Sequence, residues 1–284
     1  METLVSLKPL LAVLVSLAAT PLIVASGKRP NVRETWTFVA AFLKCGIVVS
    51  MIPAVLEGKR LVLSLAEIFP GVPLAFHVDA LGLLFAAVAS CLWIITAMYT
   101  MGYMRAENEH SQTRFFTFFA IALSSTMGVA FSANLFTLYL FYEVLSFSTY
   151  PLVTHHQDQE SRVSGRKYLG YLAGASIGLA LPAMIIVYSI TGTLDFTAQG
   201  ILSGAQTSPG LLVALVLMLV FGFAKVALMP LHSWLPAAMV APTPVSALLH
   251  AVAVVKVGAF SVFRVITGIF GVDFLAANNL NTGI

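Results

Sequence analysis

Long apolar runs, separated by short polar segments, make up most of the chain. A helix needs about 20 apolar residues to cross the hydrocarbon of a bilayer, and about eight runs come close to that length. The predicted transmembrane helices are residues 7–26, 36–56, 80–103, 114–131, 134–153, 167–191, 209–235 and 243–267. The pattern therefore predicts an all-α polytopic membrane protein.

Two connections between these helices have patterns of their own. Ser132-Ala133-Asn134 is the whole turn between the fourth and fifth helices, and Asn134 suits either a tight turn or a helix N-cap. Pro70-Gly71 favours a type II turn, because glycine accepts the positive φ angle that this turn requires. The alternation of residues 72–79 is typical of a strand. Residues 57–79 are therefore predicted to contain a short β-hairpin on the outer membrane surface.

The composition supports a lipid environment. Hydrophobic residues make up 59% of the chain and charged residues 10%, whereas soluble domains carry about 25% charged residues. The first apolar run has no convincing cleavage site and is predicted to be a retained helix, with a signal peptide as the alternative. The basic residues are scattered without an interleaved aromatic patch, so nucleic acid is not a predicted partner.

No cofactor or metal is predicted for this chain. Cys45 and Cys91 lie in apolar segments, and two cysteines cannot supply the four thiolates of an iron–sulfur cluster. We interpret them as small buried hydrophobic side chains. A cluster that resembles a metal site lies in a polar loop without a cysteine partner, and we interpret it as solvated loop residues: His155, His156, Asp158 and Glu160.

The distribution of lysine and arginine predicts the orientation, because cytoplasmic loops carry an excess of both. The loops after helices one, three and five contain Lys28, Arg29, Arg33, Arg105, Arg114, Arg162, Arg166 and Lys167. The opposite side contains Lys8, Lys59, Arg60 and Arg264. The first side is therefore predicted to face the cytoplasm, which places the N-terminus outside.

Charged side chains inside the hydrocarbon are expensive, so each one is a functional hypothesis. Glu143 is the only acid deep inside a predicted span, near the middle of helix five. Lys225 lies midway along helix seven, and His250 and Lys256 lie in helix eight. Lys44, in helix two, is interpreted as structural.

Prolines predict a break in helix seven close to Lys225. Pro230 removes a backbone donor and clashes with the carbonyl of Val226, and Pro236 follows within two turns. Broken helices at membrane depth are tolerated where they line a watered cavity, and they mark ion sites in transporters. His232 follows Lys225 by seven residues and would share its face if the helix continued.

These groups predict a proton relay. A lysine in hydrocarbon loses the hydration that favours its ammonium form, and histidine titrates close to neutrality. Three structural interpretations stay open. Glu143 and Lys225 could form a static ion pair, Lys256 could reach towards the head groups, and His232 could cap the broken helix.

The same residues carry a family resemblance. Residues 138–143, LYLFYE, resemble the glutamate helix of the antiporter-like subunits of complex I, membrane-bound hydrogenases and Mrp-type cation/proton antiporters. The family's most specific signature is similar to residues 224–238, AKVALMPLHSWLPAA. It continues in residues 241–251, APTPVSALLHA, and in residues 256–258, KVG. The resemblance covers about residues 79–264.

The resemblance implies a fold of about fourteen helices with two inverted five-helix repeats, each containing a broken helix. It also implies that Glu143 and Lys225 are the coupling pair and that His250 and Lys256 pass protons along a central axis. Because no second repeat follows, the chain is expected to be a fragment, a partly determined sequence or half of a split subunit. The expected divisions are 1–79 (two helices and hairpin), 80–113 (third helix and loop), 114–267 (first repeat) and 268–284 (start of a link).

The function that the resemblance implies is proton translocation in a multisubunit complex of the cytoplasmic membrane, most similar to the D-type component of an Mrp-type monovalent cation/proton antiporter. Other membrane subunits, protons, sodium and lipid are the expected partners. The alternative is a proton-pumping subunit of a complex I-like NADH:quinone oxidoreductase or a membrane-bound hydrogenase. An inert scaffold is disfavoured, because unused buried charges are expensive. A lipid or quinone enzyme is disfavoured because no nucleophile–base pair is apparent.

Overall fold

A computed structural model describes residues 3–205, 207–247 and 253–278 of the chain. The described chain is mostly helical, with one small sheet. The helices are α1 (Lys8–Ala25), α2 (Pro30–Val49), α3 (Ile52–Leu56), α4 (Ala80–Ala106), α5 (Gln112–Ala130), α6 (Leu135–Val153), α7 (Gln159–Ala175), α8 (Leu181–Thr191), α9 (Pro209–Gly222), α10 (Trp234–Ala237), α11 (Thr243–Val245), α12 (Val254–Val265) and α13 (Val272–Ala277). The strands are β1 (Thr3–Val5), β2 (Arg60–Phe69) and β3 (Val72–Val78).

Five helical stretches of the described chain are long and apolar enough to cross a membrane. They are Lys8–Ala25, Pro30–Leu56, Ala80–Ala106, Gln112–Ala130 and Gln159–Thr191. Each corresponds to one of the predicted spans. Because they follow one another along a single chain, they support a multi-pass membrane protein.

The other three predicted spans have different outcomes. Residues 134–153 form α6, whose bounds agree with the prediction to within one residue. Residues 209–235 do not form one continuous helix, because α9 ends at Gly222. Residues 243–267 include α11 and α12, with 248–252 outside the described residues.

Helix α5 lies at the centre of the packing. Its apolar window is 72% buried, compared with 28–39% for the other four candidate spans. The large side chains Phe115, Phe116 and Phe119 on its first turns are fully buried. The outer helices therefore present most of their apolar surface outward, as expected in lipid.

A three-stranded sheet covers one end of the helices. β2 and β3 pair antiparallel from Leu61 opposite Val78 to Phe69 opposite Val72. Gly71 in the tight turn has a φ angle of 73°, which favours glycine. β1, which the sequence pattern did not predict, pairs parallel with β2.

The turn between α5 and α6 anchors this hairpin. The Asn134 side chain accepts a hydrogen bond from Thr137 N at 2.8 Å, so the predicted N-cap of α6 is confirmed. Its amide group also donates to the Pro73 carbonyl at 2.6 Å, and Ala133 N donates to the Ala75 carbonyl at 3.0 Å. The hairpin is thus tied directly to the start of the helix that carries Glu143.

The three loops rich in basic residues meet at the other end of the helices. Arg33 donates to Gln112 at 2.8 Å, and Arg105 pairs with the buried Glu34 at 2.5 Å. Arg114 donates to the His155 carbonyl at 2.8 Å. The loops after α1, α4 and α6 therefore lie on the same side, as the charge pattern requires.

The two cysteines differ from the prediction of buried hydrophobic side chains. Cys45 is only partly buried and Cys91 is exposed. Their sulfur atoms lie 3.4 Å apart across the contact between α2 and α4. The apolar residues around each cysteine do not show whether it faces the core or the lipid, because both kinds of position are apolar in a membrane protein.

Candidate proton site at a helix break

Helix α9 stops immediately before Lys225. It ends at Gly222, and residues 224–226 form a single 3₁₀ turn. Ala227 follows in the left-handed region with φ 58°, and the peptide bond before Pro230 is cis. Helical structure resumes only at Trp234, whose indole donates back to the Ala224 carbonyl at 3.1 Å. The helix therefore ends well before Pro230, the residue that predicted the break.

Two backbone contacts without intervening side chains accompany the break. A Cβ added to Gly222 would lie 2.5 Å from Ala180 N. A Cβ added to Gly258 would lie 2.2 Å from Val226 N and 2.4 Å from the carbonyl carbon of Lys225. All three distances are too short for a real Cβ atom, so glycine is required at each position. α12 thus packs directly against the turn that presents Lys225.

The ammonium group of Lys225 is fully buried and is held by α6. Nζ donates to the Tyr142 carbonyl at 2.8 Å and to the Ser146 hydroxyl at 2.6 Å. It also lies 3.1 Å from the centroid of the Tyr142 ring, while the Tyr142 hydroxyl accepts from the Lys225 backbone N at 3.0 Å. Tyr142 and Ser146 are four residues apart on one helix face. Among the described residues, the hydrogen-bond acceptors of this ammonium are all uncharged.

Glu143 lies beside this contact rather than in it. The residue is partly exposed, and both carboxylate oxygens are inaccessible to solvent without a hydrogen-bond partner in the described residues. Its charge is close enough to act on Lys225 and Tyr142 electrostatically. A direct Glu143–Lys225 ion pair, the structural alternative from the sequence, is not found among the described contacts.

The remaining predicted residues are more dispersed. His232 is exposed in the segment after the break, where its carbonyl accepts from Leu235 N at 3.0 Å. Pro236 lies inside the single turn of α10. His250 lies outside the described residues, so its place relative to Lys225 stays a prediction.

Lys256, predicted in helix eight, lies on α12 with its side chain outside the helix packing. Val254 and Val257 are buried, but the Lys256 side chain is exposed. It lies at an apolar groove between α4 and α12, lined by Leu81, Leu84, Phe85, Val88, Leu92, Ala259, Phe260 and Phe263. The lysine is thus two residues from the Gly258 contact with Lys225 but faces away from the helix packing.

Sequence reasoning missed Ser146 and Tyr142 as the acceptors of the Lys225 ammonium. The available signal was the spacing of their hydroxyl groups, since Ser146 follows Tyr142 by four residues within one predicted span.

Lys44, which the sequence analysis interprets as structural, has an environment similar to that of Lys225. It is fully buried, donates to the Ser16 hydroxyl at 2.6 Å and the Leu123 carbonyl at 2.9 Å, and lies 4.7 Å from the Trp93 ring.

Comparisons with known proteins agree with the predicted resemblance. The sequence profile of the family described as NADH:quinone oxidoreductase/Mrp antiporter, TM matches residues 132–280. The putative antiporter subunit mnhA2 of Staphylococcus haemolyticus is 32% identical over 234 residues, which cover 80% of this chain and 28% of that protein. The Na(+)/H(+) antiporter subunit A1 of Staphylococcus aureus strain Newman is 32% identical over 197 residues, or 68% of this chain and 24% of that protein.

Two solved structures share the fold. The membrane-bound sulfane sulfur reductase, an archaeal respiratory membrane complex, contains a chain with a TM-score of 0.80 and 21% identity, covering 96% of this chain and 55% of that one. A chain of the Mrp complex of Dietzia sp. DQ12-45-1b gives a TM-score of 0.78 and 23% identity, and the match covers 93% of this chain and 49% of that one. The chain thus spans about half of each solved chain and about a quarter of the curated relatives, which are A-type rather than D-type components.

Proposed function

Since the chain belongs to the NADH:quinone oxidoreductase/Mrp antiporter transmembrane family, we propose that it forms part of a proton-translocating subunit of an Mrp-type monovalent cation/proton antiporter. The observation that carries the proposal is the site at the helix break. Lys225 is buried, and its hydrogen-bond acceptors among the described residues are all uncharged. The Glu143 carboxyl group lies beside it and has no hydrogen-bond partner among the described residues.

This arrangement favours proton exchange over a static contact. The Tyr142 carbonyl and the Ser146 hydroxyl can accept a hydrogen bond from an ammonium group, but they do not neutralise its charge. Its protonation therefore depends on the charge state of Glu143 nearby. A proton that leaves the Lys225 ammonium and reaches the Glu143 carboxylate leaves a neutral amine and a carboxylic acid. The pair can then pass the proton on in either direction.

The family membership supports a larger architecture. We propose about eight membrane-crossing helices, with the broken helix at residues 209–235 forming the ion site of the first inverted repeat. The proposed divisions are residues 1–79, 80–113, 114–267 and 268–284. Glu143, Lys225, His232, His250 and Lys256 are the proposed proton pathway, and Pro230 and Pro236 belong to the break.

A redox-driven complex is the second candidate. The fold likeness to the archaeal respiratory complex, with a TM-score of 0.80, is as close as the likeness to the Mrp complex. The named relatives at 32% identity are antiporter subunits, however, and this favours antiport. In either complex the other membrane subunits would be partners, and any redox cofactor would lie in them.

Everted membrane vesicles can test the proposed function. The natural complex, complete and with this gene deleted, would be produced in a host without its own sodium/proton antiporters. Sodium added to vesicles with an established pH gradient should dissipate that gradient only with the complete complex, as monitored by a pH-sensitive dye. An unchanged sodium response after deletion would contradict the proposal. A response to an electron donor but not to sodium would favour the redox-driven alternative.

The proposed orientation has the N-terminus outside and the loops near Arg29, Arg105 and Arg162 in the cytoplasm, because basic residues gather at that end. Single cysteines at positions 70 and 162 would be introduced after removal of Cys45 and Cys91. Pro70 and Arg162 are both exposed. An impermeant maleimide added to intact cells should modify position 70 and leave position 162 unmodified. The reverse labelling would overturn the orientation.

A further inference from the structure

Two polar loops bring one carboxylate and three imidazoles together at the end of the helices opposite the hairpin. Glu109 and His110 lie between α4 and α5, and His155 and His156 lie between α6 and α7. We call these four residues the histidine–glutamate cluster. Glu109 Oε2 is 3.4 Å from His155 Nε2 and 3.9 Å from His110 Nδ1. Glu109 Oε1 is 3.2 Å from His156 Nε2.

His155 is the unusual member of the cluster. Its side chain has no exposed surface, yet neither ring nitrogen has a hydrogen-bond partner among the described residues. The 3.4 Å approach to Glu109 lacks hydrogen-bond geometry. Buried polar atoms are nearly always satisfied, so two unsatisfied nitrogens on one buried ring require an explanation. The ring is held in place by an edge contact with Phe115 and by Arg114, which donates to the His155 carbonyl.

An ion pair does not explain His155. Its Nε2 approaches Glu109 Oε2 to 3.4 Å without forming a hydrogen bond, and its Nδ1 has no partner among the described residues. A neutral imidazole offers a lone pair on one of its two nitrogens. A neutral buried imidazole close to a carboxylate and a second imidazole is the usual ligand set of a transition metal.

The 3.4 Å between Glu109 Oε2 and His155 Nε2 fits that interpretation, whereas the exposed His110, whose Nδ1 is 3.9 Å from the same oxygen, would have to move closer to bind. Zinc binds imidazole nitrogen at about 2.0–2.1 Å and carboxylate oxygen at about 2.0–2.2 Å, so tetrahedral ligand atoms lie about 3.3–3.5 Å apart. One ligand atom from each of Glu109, His110 and His155 lies within 4.8 Å of the others. His156 hydrogen-bonds the second carboxylate oxygen, as groups behind a metal-bound carboxylate commonly do.

We propose that Glu109 Oε2, His110 Nδ1 and His155 Nε2 bind one divalent transition metal ion of the zinc class, with His156 orienting the carboxylate. Two imidazoles and one carboxylate favour zinc over magnesium or calcium, which prefer oxygen ligands alone. The ion would join the α4–α5 loop to the α6–α7 loop at the C-terminal end of α6.

Of the loop residues predicted to be solvated, His155 is instead buried. Asp158 does not join the cluster but accepts from Ser161 N at 2.7 Å as the N-cap of α7. The ligand partners of His155 come instead from the α4–α5 loop, much earlier in the chain, which no local pattern singled out.

Zinc binding to the purified protein in its natural membrane complex tests the proposal. The protein would carry no polyhistidine tag and would be dialysed against chelator. Zinc alone is then titrated, and bound metal is measured by mass spectrometry after equilibrium dialysis. Tetrahedral coordination would be checked with cobalt, through its visible absorption.

Glu109→Gln and His110→Ala should each weaken zinc binding at this site by at least about 10-fold, and His156→Ala by about 10-fold. The His110 side chain is 48% exposed, so its variant should fold even if replacement of the buried His155 does not. Glu107→Gln, an exposed glutamate in the same loop, is the matched control and should bind as the wild type does. Zinc should raise the unfolding temperature of the wild type and of Glu107→Gln, but not of the two ligand variants. Wild-type zinc affinity in both Glu109→Gln and His110→Ala would overturn the proposal.

Discussion

Lys225→Ala in the complete assembly should lower coupled proton transport by about 100-fold or more, the contribution of a well-placed proton-transfer group. The variant removes the titratable group that α6 holds at the helix break through the Tyr142 carbonyl and the Ser146 hydroxyl. Glu143→Ala should have a comparable effect, because the lysine would lose the nearby carboxyl group to which its proton is proposed to pass. Initial rates of sodium-induced proton movement in vesicles provide the measurement.

Three comparisons make this result specific. Lys28→Ala, which removes an exposed lysine outside the spans, should transport at the wild-type rate. Lys225→Arg should fail as Lys225→Ala does, because arginine keeps its proton at any working pH. Native gel electrophoresis should show intact complexes for every variant. Near-normal flux in both Glu143→Ala and Lys225→Ala would reduce these residues to a role in helix packing.

The helices were predictable where long apolar runs end at clear polar boundaries. α6 was predicted to within one residue, because Asn134 is a polar N-cap at the boundary of an apolar run. α7 begins at Gln159 rather than 167, since its first two turns are polar. Hydropathy detects the hydrocarbon-spanning part of a helix and not the helix itself. The N-cap at Asp158 was the local signal for the earlier start.

The helix break shows what local sequence could not supply. Pro230 predicts a break, but α9 ends at Gly222, well before the proline. The position of the break coincides with backbone contacts of Gly222 with Ala180 and of Gly258 with Lys225. These contacts join residues that are far apart in the chain, so no local pattern could have placed them.

For the site residues too, local sequence predicts some features, and others depend on contacts between distant parts of the chain. The depth of Glu143 and Lys225 in apolar sequence makes them candidate site residues, because charges in hydrocarbon are rare. Their offset arrangement and the role of Ser146 depend on the rotation of α6 against the break. The histidine–glutamate cluster depends on two loops meeting, which the sequence does not specify.

Lys256→Arg should damage proton transport nearly as much as Lys256→Ala, although arginine conserves the charge. The Lys256 side chain is exposed at a groove lined by apolar residues, including Leu84, Leu92 and Phe263. α12, which carries it, contacts the Lys225 turn through Gly258. A proton carrier here must bind and release its proton, and arginine cannot release one at any working pH.

The two substitutions separate proton transfer from electrostatics. A fixed positive charge that only attracts an acid in a neighbouring element would be replaced well by arginine and poorly by alanine. A transfer group would be replaced by neither. Proton flux and assembly of the complex would be measured for both variants, with Lys28→Arg as the matched control at an exposed position. Wild-type flux in Lys256→Arg together with loss of flux in Lys256→Ala would identify Lys256 as a fixed charge, and would remove it from the proposed proton pathway.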